Sequence, residues 1–257
     1  MILTADYHTH TKYSHGKNNV LENALSAKEK GLKEIGITDH GFAHPAFGLR
    51  QRKLQSLKED CVTATKETGV KVLVGIESNI QGIDGTVDLK PKNYDNFDIF
   101  LAGFHKFVMF KPSMALSVFL PDYLSTVFKK KTVSKSLIKR NTKAFVNVIK
   151  NNPIDIITHL NYFCFADAVE VAKVAADYGT YIELNAKKTH LSDEELFNIV
   201  KTGVNFVIDS DAHTRERVGE ISLIEETLKR VDIPEDRIKN INGRLPDFRF
   251  RRFKEGK

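Results

Sequence analysis

Short apolar runs alternate with segments of helical periodicity along most of this 257-residue chain. The runs are rich in Val, Leu and Ile, which is typical of strands that are buried on both faces. They predict strands at residues 2–7, 34–38, 70–76, 98–103, 154–158, 181–184 and 205–209. Helical spacing between them predicts helices at about residues 20–30, 49–68, 166–178, 192–201 and 220–230. Strands that alternate with helices favour a parallel sheet, and seven such units favour an α/β barrel that is closed or nearly closed.

One long segment, residues 106–152, departs from this regular spacing. It is basic and rich in Phe and Met, as in FVMFKPSMALSVFLPDYLSTVF. Its amphipathic pieces predict a lid or rim structure, with a dimer contact or a membrane-touching element as alternatives. Before it, the stretch GIDGTVDL predicts a small hairpin with its turn at Asp84 and Gly85. Since no repeat or linker interrupts the chain, we predict a single domain over residues 1–257 that carries this insertion.

The composition, with 41% hydrophobic and 28% charged residues, is ordinary for a globular enzyme. No apolar stretch reaches the roughly 18 residues that suggest a membrane-spanning helix. The first residues also lack the pattern of a secretory signal. We therefore expect a cytoplasmic protein without a membrane partner. The two cysteines, Cys61 and Cys164, fit a reducing compartment and are expected to be buried.

The net charge of +6 is concentrated in two segments. One is residues 129–140 (KKKTVSKSLIKR), and the other is the C-terminal stretch FRFRRFKEGK. Two interpretations stay open for each segment, namely a solvated face or a patch that steers anionic substrates.

Histidines gather where the first predicted strand ends. Three of the nine in the chain, His8, His10 and His15, fall within the stretch HTHTKYSH. Side chains two positions apart on a strand share a face, so His8 and His10 form a pincer. Neutral imidazole is the commonest metal ligand, and this pattern therefore raises the possibility of a metal site.

Other residues of ligand type also follow predicted strands. They stand in T-D-H at residues 38–40, G-I-E at 75–77, G-F-H at 103–105, T-H at 158–159 and D-S-D-A-H at 209–213. Barrels of β/α units build their active sites at the carboxyl ends of the strands. The sequence therefore predicts a multinuclear metal site at that end of the barrel.

Five ordered motifs resemble those of the PHP family, named for polymerases and histidinol phosphatases. They are D-x-H-x-H at residues 6–10, T-D-H-G at 38–41, G-I-E-x-N at 75–79, A-G-F-H at 102–105 and S-D-A-H at 210–213. The likeness is greatest to small single-domain bacterial phosphatases of the YcdX type, and it is weakest in residues 106–152. It implies a distorted (β/α)7 barrel that holds three divalent metal ions.

The resemblance also implies a set of metal ligands. His8, His10, Glu77 and Asp211 resemble the ligands of one ion, Glu77 would bridge to a second ion held by His105 and His159, and His15, His40 and His213 would hold the third. The chain departs from the family in two places. The spacing from His10 to His15 is one residue shorter, and Leu160 follows His159 where the family usually has proline.

Such a ligand set predicts the charge of the substrate. Three divalent ions exceed the charge of the carboxylates Glu77 and Asp211, so the pocket needs an anion, and a phosphate ester suits it. Histidine and carboxylate ligands permit Zn, Mn or Fe. We expect a phosphatase that hydrolyses a small phosphomonoester with a metal-bridging hydroxide, with Glu77 and Asp211 as catalytic residues.

Three alternatives to this expected activity remain. The basic segments favour a phosphodiesterase or nuclease that acts on nucleotides or oligonucleotides, and the family resemblance favours a histidinol phosphatase. A metal-binding module without activity is the third, and the full set of nine ligands argues against it.

Further residues close to the predicted ligands in the sequence are candidates for supporting roles. We expect Asp6 or Asp39 to orient an imidazole, or else to bind a turn. Glu183 and Asn185, at the end of the sixth strand, are expected to line the pocket. Candidates for binding phosphate are Arg50, Arg52, Arg215 and Arg217, and candidates for protonating the leaving group are His44 and His190, with an exposed surface position as the alternative for all six.

Overall fold

The computed structural model describes residues 1–128 and 133–256. Seven parallel strands follow one another in chain order round a single sheet. They are β1 (Ala5–Thr9), β2 (Glu34–Ile37), β3 (Lys71–Asn79), β4 (Ile99–Gly103), β5 (Ile156–Ile157), β6 (Tyr181–Asn185) and β7 (Phe206–Asp209). The predicted seven-stranded α/β barrel is therefore confirmed, although β1 begins later than predicted and β3 continues further.

Helices connect the strands. They are α1 (Val20–Glu29), α2 (Leu54–Thr68), α3 (Pro112–Met114), α4 (Leu120–Val127), α5 (Lys135–Asn151), α6 (Ala168–Tyr178), α7 (Asp193–Val200), α8 (Ser222–Leu228) and α9 (Arg249–Lys254). The five predicted helices correspond to α1, α2, α6, α7 and α8. Asn19 and Ser192 begin α1 and α7 with capping boxes, and Gly69 and Gly179 end α2 and α6 in the left-handed conformation.

The apolar side chains form two groups, one inside the barrel and one between the strands and the helices. The inner group consists of Ala5, Tyr7, Leu73, Ile99, Leu101, Ile156, Tyr181, Val207 and Phe248. Most of these residues come from the first halves of the strands, so the carboxyl-terminal half of the interior is left to polar side chains. Cys61 and Cys164 are both buried, as predicted.

An irregularity in β1 decides which side chains its end presents. The register with β2 shifts between Asp6 and Thr9. Tyr7 belongs to the inner apolar group, and the neighbouring His8 also faces the interior, since its Nε2 lies 3.3 Å from Glu77 Oε1. Successive residues of a regular strand would face opposite sides. The shift therefore acts like a β-bulge that re-aims a side chain beside a functional site.

An extended segment after α8 closes the gap between β7 and β1. Residues 238–241 bridge to β7 on one side and to the residues before β1 on the other. The fully buried amide of Asn240 donates to Ala5 O (2.9 Å) and Ile208 O (2.7 Å), and it accepts from the Ile208 N–H (2.9 Å). One side chain thus satisfies backbone groups of both strands and holds β1 beside β7.

The insertion is helical. It comprises α3, a π-helical turn at Ala115–Phe119, α4 and α5. An aromatic cluster joins it to the barrel, with ring centroids 5.4 Å apart for Phe104 and Phe110 and 5.0 Å apart for Phe110 and Phe119. Residues 129–132 of the predicted basic segment, and the last residue of the basic tail, lie outside the described residues. Over the described parts of the chain, no helix is both long and apolar enough to cross a bilayer.

The predicted hairpin is a tight loop with one bridge instead of a ladder. The Gly85 N–H donates to Gly82 O (3.1 Å), and Ile80 and Val87 form a single antiparallel bridge. Gly85 has a φ of 87°, and a Cβ there would lie 2.4 Å from the carbonyl oxygen of Asn147 in α5. Glycine is therefore required where the loop meets the insertion.

Replacing Asn240 with alanine is expected to weaken the closure between β1 and β7. The change removes hydrogen bonds from a fully buried position and leaves backbone groups of Ala5 and Ile208 unpaired, so the free energy of unfolding should fall by about 3 kcal/mol. Urea unfolding followed by circular dichroism measures this loss. Asn198→Ala, on the partly exposed surface of α7, is the control and should change stability by less than about 0.5 kcal/mol. Equal losses in both variants would contradict the role of Asn240.

Candidate metal centre

The ends of β1 and β7 bring three of the predicted ligands together. His8 and His10 share a face of β1, with their Nε2 atoms 3.1 Å apart. Asp211, in the loop after β7, places Oδ1 3.4 Å from His10 Nε2 and 3.8 Å from His8 Nε2. The backbone pairs at the same place, because the His10 N–H donates to Ala212 O (2.8 Å). The predicted pincer is therefore part of a three-residue group beside the closure of the barrel.

Glu77, near the end of β3, is the centre of the constellation. Its side chain is fully buried. Its Oε1 lies 2.7 Å from His159 Nε2, 3.1 Å from His105 Nε2 and 3.3 Å from His8 Nε2. Residues from four strand ends thus meet at one carboxylate oxygen.

The second oxygen of Glu77 faces different rings. Oε2 lies 2.8 Å from His40 Nδ1 and 3.7 Å from His10 Nε2. The carboxylate therefore stands between two groups of histidines, with one oxygen toward each group.

The remaining predicted ligands lie at the outer side of these groups. The His15 ring centroid is 4.7 Å from that of His40 and 4.3 Å from that of His213. Four sets of three donor atoms each lie within 4.8 Å of one another, namely His8–His10–Asp211, His8–Glu77–His159, His40–Glu77–His105 and His10–His40–His213. Eight of the nine predicted ligands belong to these sets. The ninth, His15, is exposed and stands beside them.

Several polar atoms of the constellation form no oriented hydrogen bond within the described structure, although Glu77 Oε2 and His40 Nδ1 are only 2.8 Å apart. Nδ1 of His10, both ring nitrogens of His105 and Oε2 of Glu77 are buried without a hydrogen bond. Buried polar atoms nearly always have a partner. Imidazole and carboxylate donors that converge without partners are the arrangement that a divalent cation satisfies, so these residues fit a metal site.

Burial and mutual contact set the charge of these groups. Burial lowers the pKa of His10 well below its usual value and that of His40 to about 3, so both rings are neutral at pH 7. Burial alone would raise the pKa of Glu77, but the rings of His105 and His8 hold it well below its usual range. His10 and His40 are thus in the protonation state that metal binding requires. The charge of Glu77 outweighs burial and raises the pKa of His8 and His159, so these two rings would release protons when they bind metal.

A second carboxylate, Glu183 in β6, orients the rings around Glu77. Its Oε1 lies 2.5 Å from His8 Nδ1, and its Oε2 accepts the backbone N–H of His159 (2.5 Å). The Asn185 amide donates to the same Oε2 (3.0 Å). Glu183 thus has the orienting role that the sequence suggested for Asp6 or Asp39.

Asp6 and Asp39 bind loops. Asp6 accepts from the Ser210 hydroxyl (2.5 Å) and from the Gly219 N–H (2.8 Å), and Asp39 accepts from the Thr11 N–H (2.7 Å). These contacts match the turn-binding alternative. Both buried carboxylates therefore hold in place the loops that carry the predicted ligands.

Two of the predicted ligands have unusual backbone angles. His159 has a φ of 31° and Asp211 a φ of 47°. Few residues other than glycine adopt this region, and such strain is concentrated at functional sites. Space is also tight, because a Cβ on Gly103 would lie 2.3 Å from Thr158 Oγ1 and 2.7 Å from His159 Cε1. Glycine at position 103 lets His159 approach Glu77.

The constellation opens into a cavity of about 420 Å³. Its further lining residues are Tyr162, Asn185, Lys187, Lys188 and His190. Lys187 Nζ lies 3.2 Å from Asp211 Oδ2 and 3.1 Å from His213 Nδ1. Neither lysine is among the residues predicted from the sequence, although both follow the end of β6, where the strand-end rule places functional residues.

Other predicted residues lie elsewhere. None of the four arginines proposed for phosphate binding, Arg50, Arg52, Arg215 and Arg217, lines this cavity in the described structure. Of the two candidate histidines, His190 lines it and His44 does not. Burial lowers the pKa of His190 to about 4, so the ring is neutral at pH 7 and carries no imidazolium proton for a leaving group.

Comparisons with known proteins agree with this geometry. The PHP domain family model matches residues 6–187. A protein of Thermoanaerobacter sp. (strain X514) named probable phosphatase is 33% identical over 259 residues, covering 96% of this chain and 95% of the relative. A probable phosphatase of Vibrio parahaemolyticus is 31% identical over 275 residues, covering 96% of each chain.

A solved structure shares the fold. Histidinol phosphate phosphatase from Lactococcus lactis, determined with zinc, L-histidinol and phosphate, matches with a TM-score of 0.64 over 96% of this chain and 100% of that one. The sequence identity is 16%, so this likeness concerns the barrel alone. The family match and the relatives above 30% identity show that this chain belongs to the PHP domain family.

Proposed function

We propose that this protein is a metal-dependent phosphatase that hydrolyses small phosphomonoesters. The observation that carries the proposal is the environment of Glu77, a buried and ionised carboxylate with ring nitrogens of five histidines within 3.7 Å. This group forms the wall of a cavity that also contains Lys187 and Lys188. The names of the relatives support the same activity.

The proposed metal centre holds three divalent ions, which are Zn, Mn or Fe. The proposed ligands are His8, His10, His15, His40, Glu77, His105, His159, Asp211 and His213. Glu77 is suited to bridge two ions because its two oxygens face different histidines. The role of His15 rests on the family motif, since it lies outside the four close donor sets. When bound, such ions lower the pKa of water and offset the negative charge of a phosphate group.

Residues of the chain prepare this centre before a substrate arrives. Glu183 accepts a hydrogen bond from His8 at Nδ1, so Nε2 stays free and directed toward Glu77. The Thr158 hydroxyl donates to Glu77 Oε1 (2.9 Å) and fixes the carboxylate. Donors held in this way need no rearrangement during the reaction, which is how preorganised sites accelerate chemistry.

The cavity favours a small anionic substrate. A volume of about 420 Å³ is in the range of small-molecule sites. The ammonium group of Lys187, beside Asp211, can pair with a phosphate oxygen next to the proposed ions. Histidinol phosphate is one candidate of this class, since the Lactococcus lactis phosphatase was determined with L-histidinol and phosphate.

A phosphodiesterase or nuclease is the second candidate, and the basic insertion favours it. Enzymes that follow a nucleic-acid strand contact several phosphates. In the described structure, the cavity has two lysines, Lys187 and Lys188, and no arginine. We therefore favour the phosphomonoester.

We also propose that the chain is one domain and is located in the cytoplasm. The seven strands form one sheet, and the insertion packs on it through shared aromatic contacts. Both cysteines are free and buried, which suits a reducing compartment.

Glu77→Gln is expected to remove metal and activity together. The amide cannot supply two anionic oxygens, so metal content should fall from roughly three ions per chain, and hydrolysis of p-nitrophenyl phosphate should fall by roughly a thousandfold or more. Elemental analysis of protein purified without chelator and steady-state kinetics measure these quantities. His190→Ala, outside the ligand set, should keep its metal. A wild-type content reproducibly below one ion, or near-normal turnover of Glu77→Gln, would refute the proposed centre.

Lys187→Ala is expected to weaken phosphate binding without loss of metal. Removing one charge-assisted hydrogen bond should raise KM for p-nitrophenyl phosphate by about tenfold or more. Lys187→Arg should recover part of the loss, and Arg52→Ala, outside the cavity, should behave like the wild type. The assignment fails if KM is unchanged in Lys187→Ala, or if metal content falls as it does in Glu77→Gln.

A direct comparison of substrates separates the phosphatase from the nuclease. We expect a nucleoside monophosphate to be hydrolysed with a far higher kcat/KM than a short single-stranded oligonucleotide, at low and at high salt. A nuclease would show the reverse order and a steep loss of oligonucleotide cleavage with salt, because its binding depends on several phosphate contacts. That result would overturn the preferred function.

A further inference from the structure

The helical stretch that begins the insertion is apolar on two faces. One face packs on the protein, with Met114 and Val118 fully buried. The other face is exposed to solvent and carries Leu116, Leu120, Leu124, Val127 and Phe128, with Leu116 69% and Phe128 68% exposed. Residues four apart on a helix are neighbours, so these five side chains form a continuous row, which we call the apolar stripe.

Two further exposed apolar side chains stand just before these helices. Phe107 and Met109, just before the helices, are 62% and 59% exposed. The Phe107 ring lies 6.0 Å from that of Phe119 and 6.1 Å from that of Tyr123, so it is adjacent to the same helices. A concentration of exposed apolar side chains on one element is a mark of a surface that meets a partner.

The segment that carries the apolar stripe is basic in sequence. Residues 106–152 contain ten basic residues and a single acidic residue, Asp122. Asp122 is buried and accepts from the Asn141 amide (2.9 Å), so its carboxylate is withdrawn from the surface. Arg140 donates to Ser117 O (2.9 Å) and brings a cation of α5 beside the apolar stripe. Among the described residues of the insertion, Lys111 alone forms an ion pair, with Asp84.

We propose that the apolar stripe docks this protein peripherally on an anionic lipid membrane. Apolar side chains bordered by lysine and arginine bind at the boundary of head groups and acyl chains, and anionic lipids attract the basic residues. A second copy of the chain fits less well, because a symmetric dimer through this face would bring like charges together. This proposal departs from the expectation of no membrane partner, which depended on the lack of a spanning helix.

Vesicle binding tests the proposal with the full-length protein. The wild type should co-sediment with vesicles of phosphatidylcholine and phosphatidylglycerol about tenfold or more tightly than with phosphatidylcholine alone, and salt should weaken the binding. Leu116→Gln/Leu124→Gln should bind the anionic vesicles about tenfold more weakly, since two apolar contacts are lost. The matched control is Leu25→Gln/Leu223→Gln, which changes exposed leucines on α1 and α8 and should bind like the wild type.

Folding and oligomeric state are measured in parallel. Circular dichroism and hydrolysis of p-nitrophenyl phosphate should be unchanged in both double variants, because neither pair belongs to the metal centre or the cavity. Wild-type binding that ignores phosphatidylglycerol, or equal binding by the two double variants, would overturn the proposal. A wild-type dimer in light scattering that Leu116→Gln/Leu124→Gln converts to monomer would overturn it as well, and would assign the apolar stripe to a second copy.

Discussion

The burial of one carboxylate, Glu77, is the constraint on which the site depends. An ionised group without solvent is strongly unfavourable unless other groups compensate its charge. Here the compensation comes from five histidine rings that the ends of four strands bring to its two oxygens. The barrel must therefore close accurately, because a displacement of any one strand would leave the carboxylate partly uncompensated.

Closure depends on small features that are distant from one another in sequence. Asn240 binds backbone groups of β1 and β7, and the register shift in β1 turns His8 inward beside Tyr7. The strained backbones of His159 and Asp211 bring ligand atoms to the same region from two further loops. Glu183 then holds His8 and His159 in place. The same set of contacts stabilises the end of the barrel and keeps several donor atoms unpaired, which links the stability of the fold to the capacity for binding metal.

The insertion adds a second kind of surface to this barrel. Its helices contact the protein through one apolar face and leave another apolar face in solvent, while its single acidic residue is buried. A purely structural cover over the barrel would need only the first face. Exposure of the second apolar face to water is unfavourable. The basic residues of the insertion favour an anionic partner for this face. The proposed docking surface is thereby separated from the proposed catalytic site, since the first lies on the outer helices and the second at the strand ends.

The sequence alone determined the seven strands, the five connecting helices and the location of the ligand-type residues. Local periodicity and capping residues determine strands and helices over short windows of sequence. In β/α barrels, residues that follow different strands also lie close together at the carboxyl end of the barrel, although they are far apart in sequence. This rule therefore brings together five ligand-type residues from the sequence alone, namely His8, His10, Glu77, His105 and Asp211.

Only the tertiary structure decided the features that arise between distant segments. Glu183 has the orienting role because the barrel brings its side chain in β6 within hydrogen-bonding distance of His8 in β1. Lys187, in the loop after β6, lines the cavity beside Asp211. The candidate arginines lie outside the cavity, since proximity to a ligand in sequence does not determine the direction of a side chain in a loop. The sequence also did not reveal the role of Asn240 or which face of the insertion is exposed, because burial depends on the packing of the whole chain and not on any short window of sequence.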